Sequence, residues 1–363
     1  MTKSARDLDH KRLAAQLAPA LSRWFTRHQR DLAWRRTRDP YAIWVSEIML
    51  QQTRVATVND YYPRFMSRFP TVAALADADE DAVLQAWSGL GYYRRARLLH
   101  RGARYVLGEC DGELPTTAEA LRKIPGVGRY TAGAIASIAH DRPEPLVDGN
   151  VARVLSRILA LEEPSEQGAD AKVHWELARA ILEQGSPRVL AQALMELGAL
   201  VCTPQSPSCP QCPARERCQA QARGLTDVIP APRKKVAQPV DVLWAVAVYA
   251  GDRLLLTRRP SEGLLAGMWC LPLVPRGEGR ALTARAAAAA LGFPVRAPAA
   301  VPGEVKHVFT HRVWKIRTRS FVAAKPAALL DEHAWVADGE RPPGGLPKVT
   351  QKLLASLADA RAP

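Results

Sequence analysis

Four cysteines in one short stretch place the tightest constraint on how this chain can fold. They follow the spacing C-x6-C-x2-C-x5-C and are Cys202, Cys209, Cys212 and Cys218. Two further cysteines, Cys110 and Cys270, lie far from this stretch. Such clustering indicates one shared ligand. Disulfides are the alternative, but residues 1–30 carry no signal peptide, which predicts a reducing compartment, the cytoplasm.

The cysteine spacing favours an iron–sulfur cluster over a zinc ion. Four thiolates satisfy tetrahedral zinc, so zinc remains the rival ligand. Structural zinc modules usually combine two C-x2-C-like hooks, however, and this stretch has only one. A single hook with longer arms suits a cubane, in which each cysteine reaches a different iron.

Composition favours a polyanionic partner. The chain has 363 residues, of which 47% are hydrophobic and 24% charged, as is typical of a soluble protein with real cores. No apolar run approaches the length of a membrane span. The formal net charge of +14 favours a phosphate backbone as partner, although a basic soluble protein without such a partner has the same composition.

The sequence predicts a mainly α-helical domain followed by an α+β domain. Residues 1–225 contain short periodic apolar segments separated by turn signals. Residues 226–239 are basic and contain prolines, which is typical of an extended linker. From 240 to 363, two β-rich runs at 242–249 and 254–257 predict a hairpin, 305–322 predicts further strand, and 348–357 a closing helix.

A glycine-containing turn between two helical patterns predicts a phosphate-binding hairpin. The segment IPGVG contains Gly126 and Gly128, and glycines let backbone amides approach a bulky anion at the start of the next helix. A helix-hairpin-helix grips one DNA phosphate in this way without reading sequence. An ordinary turn between helices would also contain these glycines.

Two carboxylates have patterns compatible with catalysis. In the predicted helix 41–53, Glu47 falls on the same apolar stripe as Ile43 and Leu50, and desolvation there would raise its pKa toward that of a general acid. A glutamate at the stripe's edge with its carboxylate in water is the alternative. Asp148 and Asn150 precede a helical run; either residue suits a helix N-cap, and an ionised Asp148 could stabilise a developing cation.

Residues 87–103 combine a glycine turn, paired tyrosines and a basic helix. Tyr92 or Tyr93 could wedge into a base stack while neighbouring arginines meet phosphates. The arginines in question are Arg94, Arg95 and Arg97. A solvated basic face with core tyrosines would have a similar sequence.

The order of these motifs resembles that of the helix-hairpin-helix DNA glycosylases, and most closely that of the MutY family of adenine DNA glycosylases. The motifs are SEIMLQQT, GLGYYRRARLLH, IPGVGRYTAGAIAS, VDGNVARVL and the four-cysteine loop. The resemblance implies a helical domain carrying a [4Fe–4S] cluster on its four cysteines. It implies that a monomer binds duplex DNA holding adenine opposite 8-oxoguanine or guanine, and that adenine is flipped out and hydrolysed from its sugar. It also implies a monovalent cation at the hairpin.

The resemblance assigns roles to individual residues. Glu47 matches the acid that protonates adenine N7, Asp148 the aspartate that stabilises the oxocarbenium-like sugar, and Asn150 a residue that orients Asp148 or the water. Gln52 and Tyr92 match residues that fill or wedge the gap in the duplex. Arg35 and Glu196 match contacts to the flipped adenine. Phosphate contacts are implied for the hairpin glycines and for Arg94, Arg215 and Arg217.

Tyr130 separates this chain from a sister family. Enzymes resembling endonuclease III carry a lysine two residues after the hairpin's second glycine, where it forms a Schiff base with the sugar. In this chain Tyr130 occupies that place, and the resemblance puts it among the catalytic residues. Because tyrosine has no amine to form a Schiff base, the chain is predicted to be a monofunctional enzyme. The competing hypotheses are a bifunctional glycosylase-lyase for oxidised pyrimidines and a non-catalytic iron–sulfur DNA-binding regulator.

The carboxy-terminal domain resembles a NUDIX domain that has lost its hydrolase residues. Residues 281–291 lack the glutamates that hold Mg²⁺ in NUDIX hydrolases, so a binding role is predicted. Phe309, Thr310 and His311 align with the family's loop that reads 8-oxoguanine, where serine is common in place of Thr310. The hydroxyl still supplies a hydrogen bond, while the added methyl group changes its surroundings.

Overall fold

The computed structural model describes residues 3–162, 168–232, 237–277, 281–324, 332–337, 340 and 342–360. The chain divides into two compact units. The first comprises residues 1–77 and 98–234, and the second residues 78–97 and 235–363. The basic centre of the predicted linker, residues 233–236, lies outside the described residues. A helical unit followed by an α+β unit confirms the predicted fold class.

The helices α1 to α12 form the first unit, except that α5 and the first turn of α6 belong to the second unit. They are α1 Lys3–His28, α2 Pro40–Leu50, α3 Val55–Arg68, α4 Val72–Ala76, α5 Glu80–Ala86, α6 Arg94–Glu109, α7 Ala118–Leu121, α8 Arg129–Ile138, α9 Gly149–Leu159, α10 Gly168–Leu182, α11 Pro187–Leu200 and α12 Gln219–Ala222. A core of buried aliphatic side chains from α1, α8, α9, α10 and α11 holds this unit together. Burial of apolar surface contributes about 25 cal/mol per Å², so this core is the main source of the unit's stability.

Local chemistry fixes where α2 begins and ends. Asp39 is its N-cap, with side-chain oxygens that accept hydrogen bonds from the backbone amides of Tyr41 and Ala42, and Pro40 occupies the first turn. The predicted helix 41–53 therefore starts close to where expected. It ends at Leu50, and Gln52 beyond it has a φ of 54°, outside the helical region.

The second unit is built on one mixed sheet. Its strands are β1 Val240–Ala250, β2 Arg253–Arg258, β3 Trp269–Cys270, β4 Leu273–Pro275, β5 Arg296–Ala300, β6 Val305–Val308, β7 Val313–Val322 and β8 His333–Ala337. The central pair, β1 and β7, is parallel, and β1 also pairs antiparallel with β2 as the predicted hairpin. The predicted strand 305–322 is a second hairpin, β6–β7, closed over residues 309–312.

Both faces of this sheet are buried, as alternation along β1 shows. Ala245, Ala247 and Tyr249 face one apolar cluster, to which helix α14 (Lys348–Asp359) contributes. Their neighbours Val246 and Val248 face another, covered by helix α13 (Ala284–Leu291). The two-residue period of a strand places successive side chains on opposite faces. The predicted helix 348–357 is therefore α14, which covers one face of the sheet.

Residues 78–97 pack with the second unit, although they lie within the predicted first domain. Tyr93 donates a hydrogen bond from its hydroxyl to the Leu346 carbonyl at 2.9 Å, and Arg258 forms an ion pair with Asp81 at 3.0 Å. Contacts separated by some 180 to 250 residues have no local sequence signal. Among the described helices, none is long and apolar enough to cross a membrane.

Candidate functional site

A large pocket in the first unit gathers the residues that the sequence marked for chemistry. Its volume is about 1110 Å³, and Glu47, Tyr130, Asp148, Asn150 and Glu196 all line it. They come from α2, α8, α11 and the start of α9, so four helices converge on one cavity. Convergence of polar groups in one concave site is the usual form of a binding or catalytic pocket.

Glu47 is a buried carboxyl group with its pKa raised into the neutral range. Its residue is 3% exposed, and the Tyr130 hydroxyl donates a hydrogen bond to Oε2 at 2.9 Å. Burial raises the pKa of Glu47 to about 7; the Tyr130 hydrogen bond lowers it, nearby Asp148 raises it, and Arg35 lowers it. A carboxyl group in this environment holds a proton near neutral pH and can donate it. The alternative of a solvated edge glutamate is thus wrong.

Asp148 is held as the N-cap of α9 and lines the pocket. Its Oδ1 accepts a hydrogen bond from the Val151 amide at 2.7 Å, and Oδ2 accepts one from Asn150 Nδ2 at 3.3 Å. The N-terminal end of α9 favours a negative charge at this position. The two carboxylates of the pocket therefore differ in kind, one buried and inclined to hold a proton, the other held by amide donors.

Arg153 connects Asn150 to the cysteine loop. Its Nη2 donates to Asn150 Oδ1 at 2.9 Å and to the Gly198 carbonyl at 2.8 Å, while Nε donates to the Cys202 carbonyl at 2.8 Å. Gly198 makes this approach feasible, since a Cβ there would lie 2.9 Å from the Asn150 Cβ. Hydrogen bonds therefore connect the cysteine loop to Asp148 through the side chains of Arg153 and Asn150.

The four predicted cysteine ligands line one small cavity. They are Cys202, Cys209, Cys212 and Cys218, all with free thiols. Arg157 lies beside them, with Nη1 donating to the Cys202 sulfur at 3.3 Å and to the Thr203 carbonyl at 2.7 Å. In the described part of the chain, no group of three or more His, Cys, Asp or Glu side chains is arranged to hold a metal ion.

The surroundings of the cysteines fit a cationic cluster. Burial is the main cause that raises the pKa of Cys212 to about 12; a backbone hydrogen bond from Ala214 lowers this pKa, and the neighbouring Cys202, Cys218 and Cys209 raise it. Bound iron offsets such repulsion because it stabilises thiolates. A four-iron cluster spreads its ligands over four metal atoms, so it does not require the thiols to meet at one ion. Arg215 and Arg217, between the last two cysteines, are exposed.

Glu196 is fully engaged by two arginines. Its carboxylate accepts hydrogen bonds from the Arg30 amide and from the Arg30 and Arg35 guanidinium groups at 2.6 to 2.9 Å. Although burial raises its pKa, these hydrogen bonds prevail and lower the pKa of Glu196 to about 2. Glu196, predicted to contact the base, therefore holds Arg30 and Arg35 at the pocket wall. No local sequence pattern marks Arg30, because its partner lies 166 residues away.

The pocket wall also contains two residues that no sequence pattern marks. Trp34 and Gln192 line the pocket and are almost completely buried. The Gln192 amide nitrogen donates to the Arg188 carbonyl at 3.1 Å, so the Gln192 amide oxygen does not face that carbonyl. A buried aromatic ring and an amide acceptor are suited to a planar base. Neither residue carries a motif that would reveal it.

The glycine hairpin borders the same pocket. Gly126 has a φ of +83°, a conformation that favours glycine, and a Cβ on Gly128 would meet no atom within 4 Å. Gly128 is the N-cap of α8, whose first amides have no partner within the helix. Gln52 also lines the pocket and is exposed. The hairpin can thus receive an anion beside the carboxyl groups of Glu47 and Asp148.

In the second unit, Tyr92 and Tyr93 have different surroundings. Tyr93 is buried, whereas Tyr92 is 47% exposed with a φ of 49°. The predicted phosphate contact of Arg95 is wrong, because Arg95 is 8% exposed and its Nη2 donates to the Leu90 and Gly91 carbonyls. Arg97 is partly buried and pairs with Glu80 at 2.8 Å.

The predicted lesion-reading residues lie in the β6–β7 loop, where Thr310 and His311 are exposed. The Tyr92 hydroxyl and Thr310 Oγ1 lie 2.9 Å apart and share a hydrogen bond. Arg94 is exposed two residues beyond Tyr92. The structure therefore brings Tyr92 together with the loop, while Arg94 stays free to meet solvent or a ligand.

Comparisons with known proteins agree with these observations. Residues 45–178 match the family model described as HhH-GPD superfamily base excision DNA repair protein, and residues 243–356 match a NUDIX domain model. An adenine DNA glycosylase of Rattus norvegicus is 40% identical, with 79% of this chain and 67% of the relative covered. One of Buchnera aphidicola subsp. Baizongia pistaciae is 33% identical, with 67% and 69% covered.

A solved structure shares the fold of the helical unit. It is a thermostable thymine-DNA glycosylase with a TM-score of 0.54 and 27% identity, covering 58% of this chain and 98% of that one. The chain spans 57% to 67% of the length of five animal, plant and yeast relatives. Those relatives therefore contain sequence without a counterpart in these alignments.

Proposed function

Because the chain belongs to the adenine DNA glycosylase family, we propose that it removes adenine from duplex DNA in which adenine is mispaired with 8-oxoguanine or guanine. The observation that carries the proposal is the pairing of Glu47, with its pKa raised to about 7, with the N-capped carboxylate of Asp148 in one pocket. One group can donate a proton, while the other is held by amide donors where a positive charge can develop. This is the arrangement that glycoside hydrolysis requires.

The reaction uses the two carboxyl groups in sequence. The base must leave the duplex to reach a buried acid. Glu47 then donates its proton to adenine N7, and the bond between the sugar C1′ and adenine N9 breaks with its electron pair passing to the base. Asp148 stabilises the positive charge left on the sugar. Water adds to C1′ and returns a proton to Glu47, leaving free adenine and an abasic site.

The pocket wall supplies binding and orientation. Arg35, fixed by Glu196, and the Gln192 oxygen offer a donor and an acceptor to the edge of adenine, and Trp34 offers a ring. Asn150 orients Asp148 or the attacking water through its amide. Gln52 and Tyr92 fill the gap that the flipped base leaves.

Phosphate contacts come from backbone amides and arginines. We place one phosphate, with a monovalent cation, at the Gly126–Gly128 hairpin and others at the exposed arginines. Those arginines are Arg94, Arg215 and Arg217. A monomer is sufficient for this scheme, because each catalytic group comes from the same chain.

The proposal includes monofunctional chemistry. Tyr130 stands where a Schiff-base lysine would be required, and its hydroxyl is committed to Glu47. The duplex product should therefore stay intact until alkali cleaves the abasic site. Borohydride treatment during turnover should trap no protein–DNA adduct with the wild-type chain and should trap one with Tyr130→Lys. An adduct with wild type alone would overturn the assignment in favour of a bifunctional lyase.

A [4Fe–4S] cluster on Cys202, Cys209, Cys212 and Cys218 is part of the proposal. When bound, it would brace the loop that carries Arg215 and Arg217 and that contacts Arg153. We assign the chain to a reducing compartment, the cytoplasm, where cysteines stay available to bind iron. The second unit would check the base opposite adenine through Phe309, Thr310 and His311.

Replacement of Tyr130 by phenylalanine is expected to shift the pH profile of excision. The hydrogen bond from Tyr130 lowers the pKa of Glu47, so its loss should raise that pKa and keep the acid protonated to higher pH. The alkaline limb of the single-turnover rate should move upward by roughly 0.5 to 1 pH unit. An unchanged limb would show that the Tyr130–Glu47 contact does not govern the titrating acid.

Replacement of Arg153 by glutamine is expected to slow excision by roughly 10- to 100-fold. The guanidinium holds Asn150 and the cysteine loop together, so its loss releases the amide that orients Asp148. Arg64→Gln is the matched control, because Arg64 is exposed and bonds to the carbonyl of its own helix. Equal rates for both variants would remove Arg153 from the positioning of Asp148.

A further inference from the structure

The β6–β7 loop of the second unit is held by a short segment at the start of β1. The Phe309 amide donates to the Arg312 carbonyl at 2.8 Å and closes the loop. Gln238, two residues before β1, donates from Nε2 to the carbonyls of Phe309 at 3.0 Å and Thr310 at 2.8 Å. One amide group thus bridges two successive peptide units of the loop.

The same segment holds the other end of the loop. The Pro239 carbonyl accepts a hydrogen bond from the Val313 amide at 2.9 Å. Asp241 Oδ2 accepts from Arg312 Nη1 at 3.0 Å and from Trp314 Nε1 at 2.8 Å. Residues 238–241 therefore grip the loop from its first peptide to the beginning of β7.

The contacts of residues 238–241 set the direction in which the loop projects, and they are not needed to close the hairpin. The β6–β7 ladder and the Phe309–Arg312 bond already close the hairpin. Gln238 adds a constraint on the peptide planes of Phe309 and Thr310, which set where the Thr310 hydroxyl and the following His311 side chain project. The Phe309 ring packs edge-on against Trp314, with centroids 4.9 Å apart, so the first residue of the loop is anchored on its other side.

We propose that Gln238 is a positioning residue for selectivity toward the base opposite adenine. This inference rests on the proposed reading of 8-oxoguanine by residues 309–311. Gln238 acts through the two loop carbonyls and does not itself bind DNA. A loop whose peptide planes rotate freely could still bind DNA, but it would distinguish 8-oxoguanine from guanine less well.

The test is a ratio of single-turnover excision rates for adenine opposite 8-oxoguanine and opposite guanine. Gln238→Met keeps the length of the side chain and removes both donors. It should lower the ratio by about five-fold, the worth of one net hydrogen bond, and leave the rate opposite guanine within about two-fold. Gln238→Glu places acceptors against the two carbonyls and should lower the ratio further. Thr283→Ala, which removes the N-cap of α13 in the same unit, should leave the ratio unchanged.

The outcomes separate this inference from the function on which it rests. If Thr310→Ala lowers the ratio and Gln238→Met does not, the positioning role of Gln238 is overturned and lesion reading by the loop stands. If neither variant changes the ratio, lesion reading by the loop fails and takes the inference with it. If Thr283→Ala lowers the ratio as much as Gln238→Met, general loosening of the unit is the cause and the inference is also overturned.

Discussion

Replacement of Glu47 by glutamine is expected to lower the single-turnover rate of adenine release by about 10²- to 10⁴-fold, the range that general acid catalysis contributes. Glutamine has nearly the shape of a protonated glutamic acid and can accept the Tyr130 hydrogen bond, but it cannot transfer a proton to the base. Binding to mispaired DNA should be retained, since the phosphate contacts lie elsewhere. Release at the wild-type rate would remove Glu47 from the mechanism.

The same substitution is also expected to change the free energy of unfolding in a pH-dependent way. Because this measurement needs a folded variant, it also controls for misfolding. The folded-state pKa of Glu47 is raised from 4.5 to about 7, so its contribution is fully present below pH 4.5 and is lost as pH rises through 7. Glutamine never ionises. The free energy of unfolding of Glu47→Gln, relative to wild type, should therefore increase by about 3 kcal/mol between pH 4 and pH 8.

Glu144→Gln serves as the matched control for these measurements. Glu144 lies in the same unit and forms a partly exposed ion pair with Arg179 at 2.9 Å. Exposed pairs are worth at most about 1 kcal/mol, so both excision and its pH dependence should stay close to wild type. A similar loss of excision in this control would indicate that any neutralised glutamate harms the enzyme.

Replacement of Asp148 by asparagine is the second change with a large expected effect. Asparagine caps a helix about as well as aspartate, so α9 should keep its N-terminus and the variant should fold. The pocket would lose the negative charge that faces the developing cation. Loss of one preorganised electrostatic partner predicts a fall of about 10²- to 10³-fold in the single-turnover rate.

Asp39→Asn separates the charge effect from the capping effect. Asp39 is the exposed N-cap of α2, with a side chain that accepts from two backbone amides, and its substitution also exchanges a capping carboxylate for an amide. Its excision rate should stay within about three-fold of wild type. If Asp148→Asn behaves like Asp39→Asn, Asp148 is a structural cap and the stabilisation of the sugar must come from another group.

The fold was predictable where local patterns decide it. The β-rich apolar run in 242–249 predicts a strand, and the structure places it in β1, the centre of a sheet with both faces covered. The affiliation of residues 78–97 was not predictable, because it depends on contacts such as that of Tyr93 with Leu346. No local propensity encodes a partner so distant in sequence.

The candidate site was likewise predictable where local patterns decide it, and not where contacts distant in sequence decide it. Asp148 precedes a helical run, and capping geometry is a local property, so the sequence indicated its place at the helix start. Glu47 lay on an apolar stripe, but only the packing of several helices could decide between burial and exposure. Glu196 showed the limit most clearly, because its ion pairs with Arg30 and Arg35 join two segments that are distant in sequence. Gln238 had no motif at all.

The most direct test is the identity of the base released from two duplexes, one with adenine opposite 8-oxoguanine and one with an oxidised pyrimidine opposite adenine. The free base is separated and identified by mass, and each duplex is then probed for strand cleavage before and after alkali. We expect free adenine from the first duplex, with cleavage only after alkali, and no base from the second. Release of the oxidised pyrimidine with cleavage before alkali, or no release from either duplex, would contradict it.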